Sequence, residues 1–334
     1  MYFEADSPEI RWANALTAHV WQARAQRTLE AAVATGIPEA LADGPANAEA
    51  VACAKGLRAP MVEKTLIVLA ALGLVARQGD DWRLTPMARA TLLPEAPLYQ
   101  GNIVAHHAQI GSFWCDLESV LRGGASGWVF TADGHDRMPS YRDFVLAMHN
   151  MAMAGRAAAF CALVDLAGRR SLVDVGGGPA SYAMALAERY PDLSITVLDL
   201  SQAVEIARDL IDRFGMAGCV RAEEGDWNEV QFGDADRDVV LMSNVLHGPG
   251  RGARARLAKA HRALVPGGLL IVQDFLMNPA KTGPLIPAVF NLMVGAFSVT
   301  ELAERFVAAG FTEPDVRPMP EAFGSTVLVA EKVG

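Results

Sequence analysis

Paired cysteines, long apolar runs and an excess of basic charge are all missing from this chain, and each absence closes off a class of protein. Its four cysteines, Cys53, Cys115, Cys161 and Cys219, lie far apart and form no C-x-x-C pair. That spacing suits reduced thiols in a cytosolic protein better than a disulfide framework or a zinc site. No uninterrupted apolar stretch reaches the length of a membrane span. The opening residues, Met1 to Pro8, have neither the basic nor the apolar region of a secretory signal. A cytoplasmic protein with no membrane partner is expected. Acidic residues outnumber basic ones 38 to 29, for a net charge of −9. That balance argues against a chain whose main task is to hold nucleic acid.

What is present is ample core material. The chain has 334 residues, 51% of them hydrophobic and 20% charged, which suits two domains rather than one. Leu16, Val20 and Ala23 recur at helical spacing and predict a helix from about Trp12 to Thr35, stopped by Gly36-Ile37-Pro38. Helices at Ala46–Lys55 and Ala59–Leu72 follow, each ended by a glycine. Leu74–Arg77 and Trp82–Thr85 then flank the polar turn Gln78-Gly79-Asp80-Asp81 as a β-hairpin. Helix-helix-helix-hairpin is the winged-helix pattern. Its third helix is apolar between Pro60 and Leu69 apart from Glu63, Lys64 and Thr65. It lacks the polar side chains a DNA reader needs, so a packing and dimerisation module is expected.

Residues 97–165 read as largely helical around an irregular Gly/Ser segment, Arg122–Gly127. From Ser171 the texture changes to short apolar runs alternating with helices. Strands are expected at Leu172–Val175, Ile195–Leu198, Cys219–Ala222, Val239–Ser243, Leu269–Gln273 and Thr326–Ala330. Helices are expected at Tyr182–Arg189, Ala203–Phe214, Ala253–Leu264 and Thr300–Ala309. Such alternation predicts an α/β, doubly wound sheet. The domain boundaries read as 1–100, 101–165 and 166–334.

Three features stand at successive strand ends, where open α/β sheets bind ligands. Leu172-Val-Asp-Val-Gly-Gly-Gly178 is a buried strand running into a glycine turn, where the backbone can bend sharply and approach a ligand. Ser181 stands where a dinucleotide-binding G-x-G-x-x-G would want its last glycine, so that fingerprint is matched poorly. The next strand ends at Asp199, about twenty residues on, placed to accept both hydroxyls of a ribose. The third leads to Glu224-Gly-Asp-Trp227, an acid and an aromatic suited to an adenine amino group and ring face. Each element alone also has a structural reading: a turn, a strand cap, a core tryptophan.

With these residues the chain resembles the plant caffeate/flavonoid-type O-methyltransferases and their bacterial relatives, which use S-adenosylmethionine (SAM). The resemblance runs through Val173–Gly178, Asp199, Gly225-Asp-Trp227, Val240–His247, Leu264–Gly268 and Ala308–Phe311. It implies a Rossmann-like, seven-stranded class I methyltransferase domain behind a mainly helical, winged-helix-like domain through which the family dimerises. It also implies that Gly176 and Gly178 line the methionine part of SAM, Asp199 the ribose, and Asp226 and Trp227 the adenine, with Leu200 a further cofactor contact. Asp174 and Ser243 fall at further cofactor positions. Segment 101–165 is implied to contribute to the acceptor pocket.

By the same resemblance His247 is the catalytic base. Methyl transfer is an in-line displacement, so positioning dominates the rate, and a phenol acceptor also gains from a base. Two departures surround His247. Gly248-Pro249 replaces the Asp-Trp that follows the family's histidine, and Gln273 and Ala296 fall where supporting glutamates are expected. Asp274 or Asp238 are the substitutes within reach of this reading. Weak base support leaves open an S-methyltransferase acting on a small thiol or thioether acid, since some bacterial relatives resembling this family methylate sulfur, as in dimethylsulfoniopropionate synthesis. The acceptor pocket is expected between the domains, from His106, His107, Phe113, Trp114, Tyr141, Met148, His149, Phe290 and Asn291. Neighbouring helical histidines diverge by about 100°, so His106 and His107 are not expected to share a metal.

Overall fold

The computed structural model describes residues 7–124, 140–248 and 252–334. Residues 125–127 of the Gly/Ser segment, and Pro249, lie outside them, as does the side chain of Phe113. The chain divides into two compact units, Met1–Cys115 and Asp116–Gly334.

The first unit comprises helices α1 (Pro8–Ala34), α2 (Ile37–Ala40), α3 (Ala48–Lys55) and α4 (Ala59–Ala71). The hairpin β1 (Val75–Gln78) and β2 (Asp81–Leu84) follows, then α5 (Pro86–Leu92) and α6 (Gly101–Cys115). The expected three helices and hairpin are all present, with the short α2 as an addition. Side-chain oxygens of Ser7, Asn47 and Thr85 accept from backbone N–H groups at the starts of α1, α3 and α5. A core of Leu41, Val51, Leu66, Leu69 and Trp82 ties the last turn of α1 to α3, α4 and the hairpin. The first four turns of α1 have no such support. Every residue from Arg11 to Arg24 is exposed, Trp12, Leu16, Val20 and Trp21 included.

The second unit opens with α7 (Leu117–Leu121), α8 (Tyr141–Met151), a π-helical turn at Ala152–Arg156 and α9 (Ala157–Leu163). A seven-stranded sheet follows: β3 (Ser171–Val175), β4 (Ser194–Asp199), β5 (Val220–Glu224), β6 (Arg237–Ser243), β7 (Leu264–Asp274), β8 (Asp315–Pro318) and β9 (Thr326–Glu331). Between the strands run α10 (Ser181–Arg189), α11 (Ser201–Arg213), α12 (Ala253–Ala263), α13 (Leu285–Val294) and α14 (Val299–Ala308). The strand order is β5-β4-β3-β6-β7-β9-β8, with β9 antiparallel to both of its neighbours. Strand β8, whose alternation is too weak to stand out, was not anticipated.

The central strands are apolar on both faces because helices cover both. Leu172, Ile195, Val197, Leu241 and Ile271 pack under α10 and α11. Val173, Val175, Val240, Met242 and Val272 pack under α12 and α14. The chain builds outward from β3 to β5 and returns to pair β6 with β3. That reversal is a topological switch point, and it opens a crevice at the carboxyl ends of β3 and β6.

Candidate active site

The three strand tips singled out in the sequence converge at this switch point. Gly176 turns off β3 at φ +69° and donates its N–H to Leu198 O, 2.8 Å away. A Cβ at Gly176 would stand 2.3 Å from the Trp227 indole and 2.5 Å from Val245, so no other residue fits there. Gly178 (φ +52°) donates its N–H to Asp199 Oδ2 at 2.8 Å, and Leu200 N–H donates to Oδ1 at 2.7 Å. Gly225 N–H reaches the Asp199 carbonyl at 2.9 Å. Asp199 thus knits β3, β4 and β5 together. Asp226 caps the next turn, its Oδ1 accepting from Asn228 N–H at 2.7 Å.

Two basic residues on α12 hold the Trp227 turn, and neither was anticipated. The Arg256 guanidinium lies 4.9 Å from the Trp227 ring centre and donates to Val245 O (2.6 Å) and Asn228 Oδ1 (3.3 Å). Lys259 Nζ donates to the carbonyls of Trp227 (2.8 Å) and Asn228 (2.7 Å). Their spacing of one helical turn was legible, but Arg254 and Arg262 share the same helix, and nothing local marks which arginine is buried.

Asp174 is the most unusual group at the site. It is 1% exposed, and neither carboxylate oxygen has a hydrogen-bond partner. Burial, and then the charge of Asp199, push its carboxyl up to about 7. Beside it on the same face of the sheet, Ser243 and Gln273 are register partners at the tips of β6 and β7.

His247 follows β6 in the left-handed region, at φ +40°. Its ring packs on Phe290, centroids 5.2 Å apart, and Phe290 packs on Phe275 at 4.4 Å. Asp274 is its carboxylate neighbour: Oδ2 accepts the His247 N–H at 3.2 Å, and Oδ1 lies 3.7 Å from Nδ1. Two expectations are corrected here. Gln273 points to the opposite face, where its amide donates to the Tyr182 hydroxyl at 3.0 Å, because successive strand residues alternate sides. Asp238 sits at the far end of β6, accepting from the N–H groups of Arg170 and Ser171. The glycine after His247 also has a reason: a Cβ on Gly248 would stand 2.7 Å from Ala296 N and 2.8 Å from Gly295 C.

The acceptor candidates are distributed over several elements. His107 and Trp114 lie on α6 of the first unit, beside the buried His106. Tyr141 begins α8, and its phenol is raised by burial and by the charge of Asp199. Met148 and His149 are on the same helix; His149 Nδ1 is 2.8 Å from Ser181 Oγ at the start of α10. Burial, and secondarily Arg213, lower its imidazole. Phe290 stacks on His247, while Asn291 Oδ1 accepts from Ala296 N–H at 3.0 Å. A separate cavity of about 290 Å³ lies against β4 and β5 between Thr196, Glu223, Phe232, Arg237 and Arg262.

Comparison with known proteins defines the class. Residues 123–308 match the family described as O-methyltransferase domain, and residues 18–94 the O-methyltransferase dimerisation domain. The chain is 33% identical over 331 residues to the N,N-dimethyltransferase OxyT of Streptomyces rimosus, covering 95% of each. It is 29% identical to the 3-hydroxy-5-methyl-1-naphthoate 3-O-methyltransferase of Streptomyces sahachiroi, covering 81% of this chain and 80% of that one. Among solved structures, human N-acetylserotonin methyltransferase in complex with SAM superposes with a TM-score of 0.82 at 21% identity over the full length of both chains. PigF with S-adenosylhomocysteine (SAH) gives 0.80 at 26%, over 96% and 99%. The chain belongs to the O-methyltransferase family. It is a SAM-dependent methyltransferase with the class I fold.

The residues present fit SAM: the unpartnered carboxylate of Asp174 favours a ligand that brings positive charge.

Proposed function

We propose that this enzyme methylates a hydroxyl oxygen of a small molecule, with His247 as general base and Asp274 as its orienting carboxylate. The observation that carries this reading is the placement of a quarter-exposed imidazole against a carboxylate that is 3% exposed. Asp274 already accepts from the N–H groups of Phe275 (2.8 Å) and His247 (3.2 Å), so it is held rigidly beside Nδ1. A proton on Nδ1 facing Asp274 leaves Nε2 to accept the acceptor's proton.

The cofactor supplies an electrophilic methyl group; the protein's task is to hold both partners and to manage one proton. In this reading Asp174, Gly176, Gly178 and Ser243 surround the methionine end, Asp199 and Leu200 take the ribose, and Asp226 and Trp227 take the adenine. Phe290, Asn291, Tyr141, Met148 and His149 shape the acceptor side. The aromatic run from His247 through Phe290 to Phe275 supports a flat acceptor.

A second reading is transfer to an amine nitrogen, favoured by the N,N-dimethyltransferase name of the 33% identical relative. A neutral amine attacks without losing a proton first, so it depends less on a base. The relatives reported above are O- or N-methyltransferases, which gives the sulfur-acceptor alternative no support. A panel of phenols, hydroxy acids and amines, run with wild type and His247→Gln, separates the readings. On the oxygen reading the variant loses about 10²–10⁴-fold in kcat with KM for SAM unchanged. A loss below about tenfold on a phenol would overturn the base assignment.

We also propose that the working form is a homodimer joined through the first unit. The exposed apolar side chains of α1 support this, because an isolated stretch of that length is marginal in water without a partner to cover it.

A further inference from the structure

We propose that Asp174 surrenders a proton when the cofactor binds, so that the site holds cationic SAM more tightly than its neutral product SAH. The inference rests on the cofactor reading above. Its basis is a buried carboxylate with no hydrogen-bond partner among the described residues. Asp174 lies directly beneath the glycine turn: a Cβ on Gly177 would stand 2.5 Å from its Oδ2 and 2.9 Å from Val197. Both oxygens are sealed from solvent and neither accepts a hydrogen bond.

The groups around it add to the difficulty. From β4 comes Asp199, a second carboxylate whose Oδ2 is bound to Gly178 on the same turn. From α10 comes the Tyr182 hydroxyl, which accepts from Gln273 of β7. Behind Tyr182 is the Arg156 guanidinium, which donates to Phe323 O at 2.7 Å and lies 3.5 Å from Ser325 Oγ. No cation is hydrogen-bonded to Asp174 among the described residues. An ion without a partner in such surroundings takes up a proton, which agrees with a carboxyl raised to about 7.

A sulfonium held at the switch point would bring positive charge to Asp174, and opposite charges interact more strongly where water is excluded. The carboxylate is then favoured: the O–H bond of Asp174 breaks, the proton passes to solvent, and no redox partner is involved. After methyl transfer the sulfur is a neutral thioether. The carboxylate would then keep only the methionine ammonium, which SAM and SAH share, so it takes a proton back in part and the affinity for what remains falls.

The test is calorimetric titration of wild type and Asp174→Asn with SAM and with SAH, at pH 6, 7 and 8, in buffers of different ionisation enthalpy. In wild type, SAM binding releases a proton at pH 6 and tightens several-fold by pH 8, with a limit of about tenfold per pH unit below the carboxyl's titration. SAH shows a smaller release and a flatter profile. In Asp174→Asn the difference between the two ligands shrinks. Any titration of the ligands' own amino groups is common to both proteins and cancels in that comparison. Equal proton release and equal pH dependence for SAM and SAH in wild type would overturn the inference, even if the variant failed to fold. So would a folded variant in which the difference persists. If neither ligand bound wild type, the cofactor reading itself would fall, and this inference with it.

Discussion

At the scale of single residues, Asp174 makes a prediction that needs no ligand. Its carboxyl is raised to about 7 in the fold, against 3.8 for an ordinary aspartate. Below about pH 4 the folded and unfolded chains both hold the proton. Between there and about pH 7 only the folded chain does, so its stability falls as pH rises, by up to about 1.4 kcal/mol per unit, and levels off above. Asp174→Asn lacks this penalty. Thermal melts of the cofactor-free protein should show the variant gaining on wild type from pH 4.5 to 7, with a constant difference beyond; a difference independent of pH would contradict the assignment. Residues of this kind were only half legible in the sequence. Asp174, Gly176 and Asp199 were marked by their places at strand ends. The isolation of Asp174 was not, because it depends on which groups the turn brings against it.

At the scale of elements, α12 acts as a staple across the site. Arg256 spans the Trp227 turn and the Val245 carbonyl, the two segments whose side chains bracket Gly176. Arg256→Met should leave Trp227 free to shift and should weaken SAH binding about tenfold, while Arg256→Lys keeps part of the affinity through its retained charge over the ring. Unchanged SAH affinity in a folded Arg256→Met protein would contradict this. The alternation of strands and helices after Ser171 made this half readable, because buried parallel strands are continuous apolar runs and the helices between them are amphipathic. Register was harder. Gln273 and Asp274 are adjacent, and only the pairing of β7 with β6 and β9 shows that Asp274 takes the side of His247. The departure at Gly248 likewise looked like a loss from sequence. The structure gives it a steric cause in the close passage of Gly295 and Ala296.

At the scale of the whole molecule, the first unit leaves the apolar stripe of α1 uncovered, with Trp12 65% and Leu16 71% exposed. Light scattering after gel filtration should give twice the chain mass of 35.6 kDa. The double variant Leu16→Glu with Trp12→Glu should shift it towards a single chain, since charges at the centre of an apolar interface are poorly tolerated. A variant that remains dimeric would place the contact elsewhere. No helix among the described residues is long and apolar enough to cross a membrane.

The central claim is that Asp199, at the tip of β4, is the hinge of a cofactor cradle built across three strands. Calorimetry with SAH on wild type and Asp199→Ala, alongside their thermal melts, tests it most directly. The account predicts saturable binding to wild type and at least about a hundredfold loss in a variant that still melts cooperatively, as expected for removing a charged acceptor of two hydrogen bonds. Wild-type affinity in the folded variant would contradict it.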